Sequence, residues 1–146
     1  MKRSWLRRKT GLSKVSKSEF SKAVKKLDIA LSRMVRDRDK EIGCITCSRK
    51  HDTYDAGHFR RRELMSTRFH YQNVNAQGIK ENRFEGGRTY EYGLALDKRY
   101  GAGTAKKLEK LSREIKQWQI EELEALTVAA RMGVNVYNQL YEELTK

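Results

Sequence analysis

The chain has no proline, only two cysteines and no long apolar run among its 146 residues. Proline normally makes up about 5% of a protein, but we attach no function to its absence. Because no segment approaches the ~18 consecutive apolar residues of a transmembrane helix, we expect no membrane span. Residues 1–18 carry seven basic side chains, no acidic one and no apolar core, which argues against a signal peptide. We therefore expect a cytoplasmic protein.

Acidic residues are too few to balance the basic ones, and the net charge at pH 7 is +13 with a pI near 9.9. This excess indicates a polyanionic partner, and nucleic acid is the usual one. Only 38% of the residues are hydrophobic and 35% are charged, which predicts a helix-rich protein with a solvated surface. A basic ribosome-associated or other RNA-binding protein has a similar composition, so charge alone does not select DNA.

The first 17 residues are predicted to form a basic flexible arm that neutralises phosphates, with Arg7, Arg8 and Lys9 as candidate contacts. A mitochondrial transit peptide is the alternative, but the segment lacks a sustained amphipathic pattern. Residues 18–146 are short enough to form a single domain.

A helix is predicted over residues 18–42. A capping-box pattern joins Ser16 to Glu19. Apolar residues then recur at steps of three and four, and Gly43 follows the last of them. This segment is the first part of the predicted domain, ahead of a compact centre over residues 43–101.

Three further helices are predicted after the centre begins. Two are short, over residues 88–100 and 104–111. The last is one long helix over residues 120–144, in which Gly133 costs about 1 kcal/mol relative to alanine. Its apolar stripe is interpreted as core, with a homodimer contact as the alternative.

The centre has no helical period between residues 44 and 82, which makes the predicted fold class α+β and helix-rich. Residues 53–55 and 69–71 have the aromatic and β-branched bias of short strands. The segment therefore predicts a small sheet between the N-terminal helix and the C-terminal helices.

Cys44 and Cys47 have the spacing with which two thiolates bind one zinc ion from a tight turn. A structural zinc site is closed by four ligands, so two cysteines are insufficient. His51 is a candidate third ligand and Glu81 a weaker oxygen fourth. The alternative is a knuckle that binds no metal and is held by packing.

His58 is the candidate general base of the centre, because an imidazole that titrates near neutrality can take a proton from water. Asp55 and the side-chain oxygen of Asn82 are candidate ligands for Mg²⁺ or Mn²⁺, which would neutralise charge during phosphodiester cleavage. Asn73 could orient the imidazole through its amide oxygen. Basic side chains nearby are candidate phosphate contacts: Arg60, Arg61, Arg62, Arg68 and Arg83.

These motifs in combination resemble the phage NinG/Rap recombination endonuclease family. The resemblance runs from about Leu27 to Gly101 and rests on a Cys-x-x-Cys pair followed by several short strings. Those strings are Asp-Ala-Gly-His-Phe at 55–59, Met-Ser-Thr-Arg-Phe at 65–69, Asn-Ala-Gln at 75–77 and Asn-Arg-Phe at 82–84.

The resemblance implies a zinc-stapled ββα-metal (HNH-like) core flanked by N-terminal and long C-terminal helices, and an activity on branched DNA such as Holliday junctions. It assigns His58 as general base, Asn73 as the middle asparagine of HNH and Asn82 as the closing metal ligand. The family has a second Cys-x-x-Cys before that last asparagine, where this chain has Gly78 and Glu81.

Three functions follow from the sequence. The first is a metal-dependent endonuclease for branched DNA, in the host cytoplasm if the chain is encoded by a phage. The second is a degenerate relative that binds such DNA without cutting it, and the third is a basic RNA-binding protein. Because symmetric resolution of a junction needs two active sites, the first implies a homodimer, with the C-terminal helices as the candidate interface.

Overall fold

The computed structural model describes the backbone of residues 2–146 and the side chains of residues 17–146. The predicted contacts Arg7, Arg8 and Lys9 therefore lie outside the described side chains, and their contact with phosphates stays a prediction. The backbone of the segment predicted to be a flexible arm is instead helical from Lys2 onward. The described chain forms six α-helices, two strands and one 3₁₀ turn. In chain order they are α1 Lys2–Asp39, β1 Asp55–His58, β2 Val74–Gln77, α2 Ile79–Arg83, the 3₁₀ turn Gly86–Arg88, α3 Thr89–Tyr100, α4 Thr104–Leu111, α5 Ile120–Met132 and α6 Val134–Leu144.

Helix α1 is the longest helix and contributes to the main hydrophobic core. Its buried stripe, which includes Leu27, Leu31 and Val35, packs against α5 and the sheet. The predicted helix over residues 18–42 is confirmed up to Asp39. The backbone carbonyl of Asp39 then accepts N–H bonds from Ile42 and Gly43, so the chain turns before the predicted end.

The predicted long helix over residues 120–144 is wrong in one respect, because it is two helices. Gly133 has φ 134° and ψ 170°, which are not helical values. A residue with a side chain rarely adopts this φ, so glycine allows the break at this point. Helices α5 and α6 consequently pack against each other and against α1.

The apolar stripe of α5 and α6 belongs to the hydrophobic core, which confirms the first of the two interpretations, core or dimer contact. Leu123, Leu126 and Tyr137 are fully buried within the chain, and Tyr141 nearly so. A dimer contact through these side chains would require the core to open. A homodimer would therefore have to use other residues.

The sheet is an antiparallel pair in which Asp55 lies opposite Gln77 and His58 lies opposite Val74. The predicted strand over residues 53–55 meets β1 only at its last residue, and the one over 69–71 is wrong. Phe69 lies in a turn and not in a strand, and its fully buried ring packs in the hydrophobic core. Helix α2 follows β2 at once, which gives the centre a strand–strand–helix order.

Helices α3 and α4 confirm the predictions over residues 88–100 and 104–111 to within one residue. They enclose a second, smaller core with Phe59, the residue that follows β1. Among the described residues, no helix is both long enough and apolar enough to cross a membrane.

Candidate active site and metal cluster

His58 ends β1 with its imidazole fixed by the backbone. The Nε2 atom lies 3.1 Å from the carbonyl oxygen of Arg68. A carbonyl oxygen can only accept a hydrogen bond, so Nε2 carries the proton in the neutral ring. The Nδ1 atom is then the nitrogen with the free lone pair, which gives His58 a defined basic atom.

The environment of His58 keeps its ring uncharged. Burial lowers the pKa of the imidazole from 6.5 to about 4. The Arg68 carbonyl and the Asp28 carboxylate oppose this shift, whereas the positive charges of Arg62 and Arg68 add to it. His58 is therefore neutral at physiological pH, and its pKa of about 4 differs from the near-neutral titration expected from the sequence.

Arg68 differs from its predicted role as a phosphate contact. Its Nε atom donates to Asp28 Oδ1 at 3.1 Å, and its Nη2 donates to Asp28 Oδ2 at 2.5 Å. The Arg68 side chain is only 14% exposed and that of Asp28 17%. Because Asp28 and the carbonyl of Arg62 occupy the guanidinium, Arg68 supports the loop that holds His58.

Asn73 also departs from its expected contact, because its amide does not bond to the imidazole. The oxygen accepts the N–H of Arg60 at 2.8 Å. The nitrogen donates to the carbonyls of Arg60 and Thr67, each at 3.1 Å. Asn73 is fully buried and closes the loop between β1 and β2. Its effect on His58 is therefore indirect, through the shape of that loop.

Asp55 and Asn82 are neighbours, as expected for a shared cation, but the contact differs from the predicted one. The Asn82 amide nitrogen donates to Asp55 Oδ2 at 2.9 Å, so its oxygen points elsewhere. Arg83 adds two bonds of 2.8 Å to the same carboxylate. Burial works to raise the pKa of Asp55, but the bonds from Arg83 and Asn82 outweigh it and hold that pKa below its usual value.

Asp55 and His58 leave β1 in different directions. They are three residues apart on one strand, and side chains alternate between the two faces of a strand. Asp55 contacts α2 through Asn82 and Arg83, whereas His58 contacts the loop behind the sheet. In the described part of the chain no hydrogen bond joins the two residues.

The arginines after His58 divide into two kinds. Arg60 lies against the Phe59 ring, with its guanidinium carbon 5.9 Å from the ring centroid, and donates to Ser112 at 3.3 Å. Arg61 is exposed, and the Arg62 side chain is 63% exposed with only a 3.8 Å approach to Asp28. Of these three arginines, Arg61 and Arg62 are thus the predicted phosphate contacts that stay accessible.

The predicted ligand set Cys44, Cys47, His51 and Glu81 comes together in space. One ligand atom from each residue lies within 4.8 Å of all the others. Within this group, Cys47 Sγ and His51 Nε2 lie 3.3 Å apart. The structure thus gathers two sulfurs, one nitrogen and one carboxylate oxygen into a group that could hold a metal ion.

Cys44 lies in a tight turn in which two neighbouring groups form hydrogen bonds with its sulfur. The Gly78 N–H donates to Cys44 Sγ at 3.2 Å, and the Thr46 hydroxyl lies 3.4 Å from the same atom. Burial works to raise the pKa of this thiol, but these bonds outweigh it and lower that pKa. Burial raises the pKa of Cys47 instead.

A buried ionic network was not predicted, although the sequence carries a signal of it. Asp39 is fully buried, accepts two bonds of 2.7 and 2.8 Å from Arg38, and accepts the Ala76 N–H at 2.9 Å. Arg38 also reaches Asn75 Oδ1 at 2.9 Å. The pair follows Val35 by three and four residues, on the buried face of α1. It fixes β2 to the end of that helix.

Comparison with known proteins identifies the relatives of the chain. A family model described as Bacteriophage Lambda NinG protein matches residues 1–139. Protein ninG of Escherichia phage lambda is 28% identical over 105 residues, which cover 70% of this chain and 51% of that protein. Protein ninG of Salmonella phage P22 is 27% identical over the same length, with shares of 70% and 51%. The chain spans about half the length of the curated relatives it matches. No solved structure matches.

Proposed function

Since this chain belongs to the family of the bacteriophage lambda NinG protein, we propose that it is a metal-dependent endonuclease for branched DNA. The proposal extends the family resemblance of the central motifs to an activity. The observation that carries it is the His58 imidazole, which is neutral and held by the Arg68 carbonyl. A fixed neutral imidazole at the end of a hairpin has the form of a general base.

The chain's own residues supply the proton transfer. His58 Nδ1 accepts a proton from a water molecule, and the hydroxide attacks the phosphorus of a phosphodiester. The bond from phosphorus to the leaving oxygen breaks, and that oxygen takes a proton from solvent. The products are a phosphate monoester and a free hydroxyl.

Asp55 and Asn82 are the residues that would hold Mg²⁺ or Mn²⁺. Both side chains carry a hard oxygen ligand, and the Asn82 amide nitrogen lies 2.9 Å from Asp55 Oδ2. A cation held there would supply positive charge to neutralise the phosphate and the leaving oxygen. The fit requires two changes, since Arg83 must release the carboxylate and the Asn82 amide must turn its oxygen inward. The Arg83 side chain is 60% exposed, so it has room to turn toward solvent once its two bonds to Asp55 break.

Accessible basic side chains support DNA as the substrate. Arg61 and Arg62 follow His58 directly and are exposed. The chain has an excess of 13 positive charges. Arginine is well suited to phosphates because its planar fork donates two parallel hydrogen bonds. Selectivity for branched DNA, and a dimer for symmetric cutting, rest on the family resemblance.

A second candidate function is binding of branched DNA without cleavage. The ion pair between Asp55 and Arg83 favours it, because Arg83 occupies the carboxylate that a catalytic cation needs. The Arg83→Ala variant separates the two proposals. For an endonuclease, releasing Asp55 lowers the Mg²⁺ concentration needed for half-maximal cleavage. For a binding protein, the variant still makes no product and only loses DNA affinity.

The test of the proposal compares labelled four-way junction, duplex and single-stranded DNA in Mg²⁺, Mn²⁺ or EDTA. We expect the wild-type protein to cut the junction in either metal and to leave it intact in EDTA. Identical binding with and without metal, and no product from any DNA, would establish the binding protein instead. A preference for RNA that is indifferent to His58 and Asn73 would support the RNA-binding alternative.

A further inference from the structure

We propose that Cys44, Cys47, His51 and Glu81 bind one structural zinc ion, and that Gly78 is required because its missing side chain leaves room for His51 and Glu81. The proposal does not depend on endonuclease activity. It concerns a site that shares no residue with Asp55 and Asn82.

The separation of the ligand atoms suits one small ion. In a tetrahedral zinc site, bond lengths of about 2.0 to 2.3 Å place neighbouring ligand atoms roughly 3.3 to 3.8 Å apart. The 3.3 Å between Cys47 Sγ and His51 Nε2 is already at that spacing. The widest separation in the group, 4.8 Å, closes with movements of about an ångström.

Glu81 gives a second and independent indication of a cation. Its side chain is only 4% exposed, yet its Oε2 has no hydrogen-bond partner among the side chains and backbone that the structure describes. A buried carboxylate oxygen without a partner is costly, and in proteins such groups are paired or bind metal. The nearest ligand-type groups to Glu81 are the thiols and the imidazole of the same cluster.

Gly78 determines which side chains can enter the cluster. A Cβ atom built on Gly78 would collide with Glu81 Oε2 and would lie 3.0 Å from His51 Nε2. The imidazole and the carboxylate thus fill the volume that a side chain at position 78 would occupy. The backbone of Gly78 has φ −57° and ψ 145°, values that alanine adopts easily. A larger residue would therefore displace the Glu81 carboxylate and crowd the His51 imidazole, although the backbone conformation would permit it.

The chemistry of the four ligands favours zinc as the metal, and their number favours a structural role. Two thiolates and an imidazole are soft or borderline ligands that favour zinc over Mg²⁺ or Ca²⁺. Four protein ligands leave no open position for water or substrate. The ion would join the turn at Cys44 to the first turn of α2. Because Asn82 and Arg83 follow Glu81 on that helix, the ion would also fix them relative to Asp55.

The test measures metal and uses no DNA. Wild-type protein refolded with zinc and freed of excess is analysed for zinc per chain and titrated with Co²⁺, whose absorption reports thiolate ligands. We expect one zinc per chain. Cys47→Ser and His51→Ala should weaken zinc binding by roughly 100-fold or more, and Gly78→Ala by about tenfold or more. The matched controls Asp52→Ala and Gly93→Ala should bind like the wild type.

Circular dichroism identifies any variant that fails to fold. In that case the proposal is tested on the wild-type protein alone. Zinc should raise its thermal midpoint, and a chelator should reverse the increase. A wild type without zinc and without this shift would overturn the proposal. So would folded His51→Ala and Gly78→Ala proteins that bind zinc and Co²⁺ as tightly as the wild type, because the ligands would then lie elsewhere.

Discussion

Asp28 on α1 and Arg68 in the loop before β2 form a two-bond ion pair, and the carbonyl of the same Arg68 holds His58. The ion pair joins residues 40 positions apart in the sequence. Its geometry links the long helix to the orientation of the candidate base. Asp28 follows the buried Leu27, so the helix that supplies the core also supplies this support.

Replacement of Asp28 with asparagine should slow DNA cleavage with little change in DNA binding. The variant keeps the size of the side chain but loses the charge that fixes Arg68, so the carbonyl behind His58 is held less firmly. We expect kcat to fall roughly tenfold and KM to change little, because small displacements of a catalytic group are expensive. Steady-state cleavage kinetics measure both values.

The control for that variant is Asp37→Asn. Asp37 lies on the same helix, is exposed and forms no ion pair with the described side chains. It should leave both constants unchanged. If the two variants have equal kinetics, or if Asp28→Asn raises KM alone, the ion pair does not act through His58.

Stability should fall on acidification because two histidines are buried in the neutral form. The pKa values of His58 and His70 are lowered from 6.5 to about 4, chiefly by burial. Between these values the unfolded chain binds protons that the folded chain does not, so stability is lost as the pH falls. Each residue should contribute a loss of about 2 kcal/mol between pH 7 and pH 5.

Urea unfolding at the two pH values measures this effect, with His70→Gln for comparison. The carboxylates titrate alike in both proteins, so their contribution cancels. The variant should lose about 2 kcal/mol less than the wild type on acidification. Equal losses in both proteins would show that His70 is not held neutral by the fold.

Asn73→Ala should destabilise the loop between the strands. The substitution leaves the N–H and the carbonyl of Arg60 without their partner, and it removes one of the two donors to the carbonyl of Thr67. Buried polar groups left unpaired cost about 1 to 3 kcal/mol each, so we expect a total loss of roughly 2 to 4 kcal/mol. Urea denaturation gives the free energy of unfolding, and a loss below about 0.5 kcal/mol would contradict the contact pattern.

Gly133→Ala tests the break between α5 and α6. The φ of 134° at this position is unfavourable for alanine, although a Cβ there would meet no atom within 4 Å. We expect a loss of about 1 kcal/mol or more from backbone strain alone. Gly93→Ala inside α3 should instead be neutral or stabilising, since glycine is the poorer helix former. Stabilisation by Gly133→Ala would favour one continuous helix.

The helices could be predicted because their signals are local. Residues 88–100 and 104–111 carry their periodicity and their terminal glycines in sequence, and α3 and α4 match them. The strands could not be predicted in this way, since Phe69 has the side chain of a strand residue but is used to fill the core. Its ring packs edge-on against Trp118 at 5.9 Å. Whether Phe69 packs in the core or belongs to a strand therefore depends on Trp118, which lies far along the sequence.

In the candidate site, too, some features could be predicted from the sequence and others could not. His51 and Glu81 were recognisable as ligands because their chemistry completes that of Cys44 and Cys47, and the structure gathers all four. The link from Asp28 through Arg68 to His58 could not be predicted, because it depends on which distant residue α1 meets. The one available signal was an acidic residue directly after the buried Leu27 on α1.

The most direct test of the central claim is the single-turnover cleavage of a labelled four-way junction in Mg²⁺, with enzyme in excess over DNA. The wild-type protein should cut the junction, and His58→Ala should cut it roughly 100- to 10,000-fold more slowly while binding it equally well. No cleavage by the folded wild type, or equal rates for the two proteins, would contradict the assignment of His58 as the general base of an endonuclease.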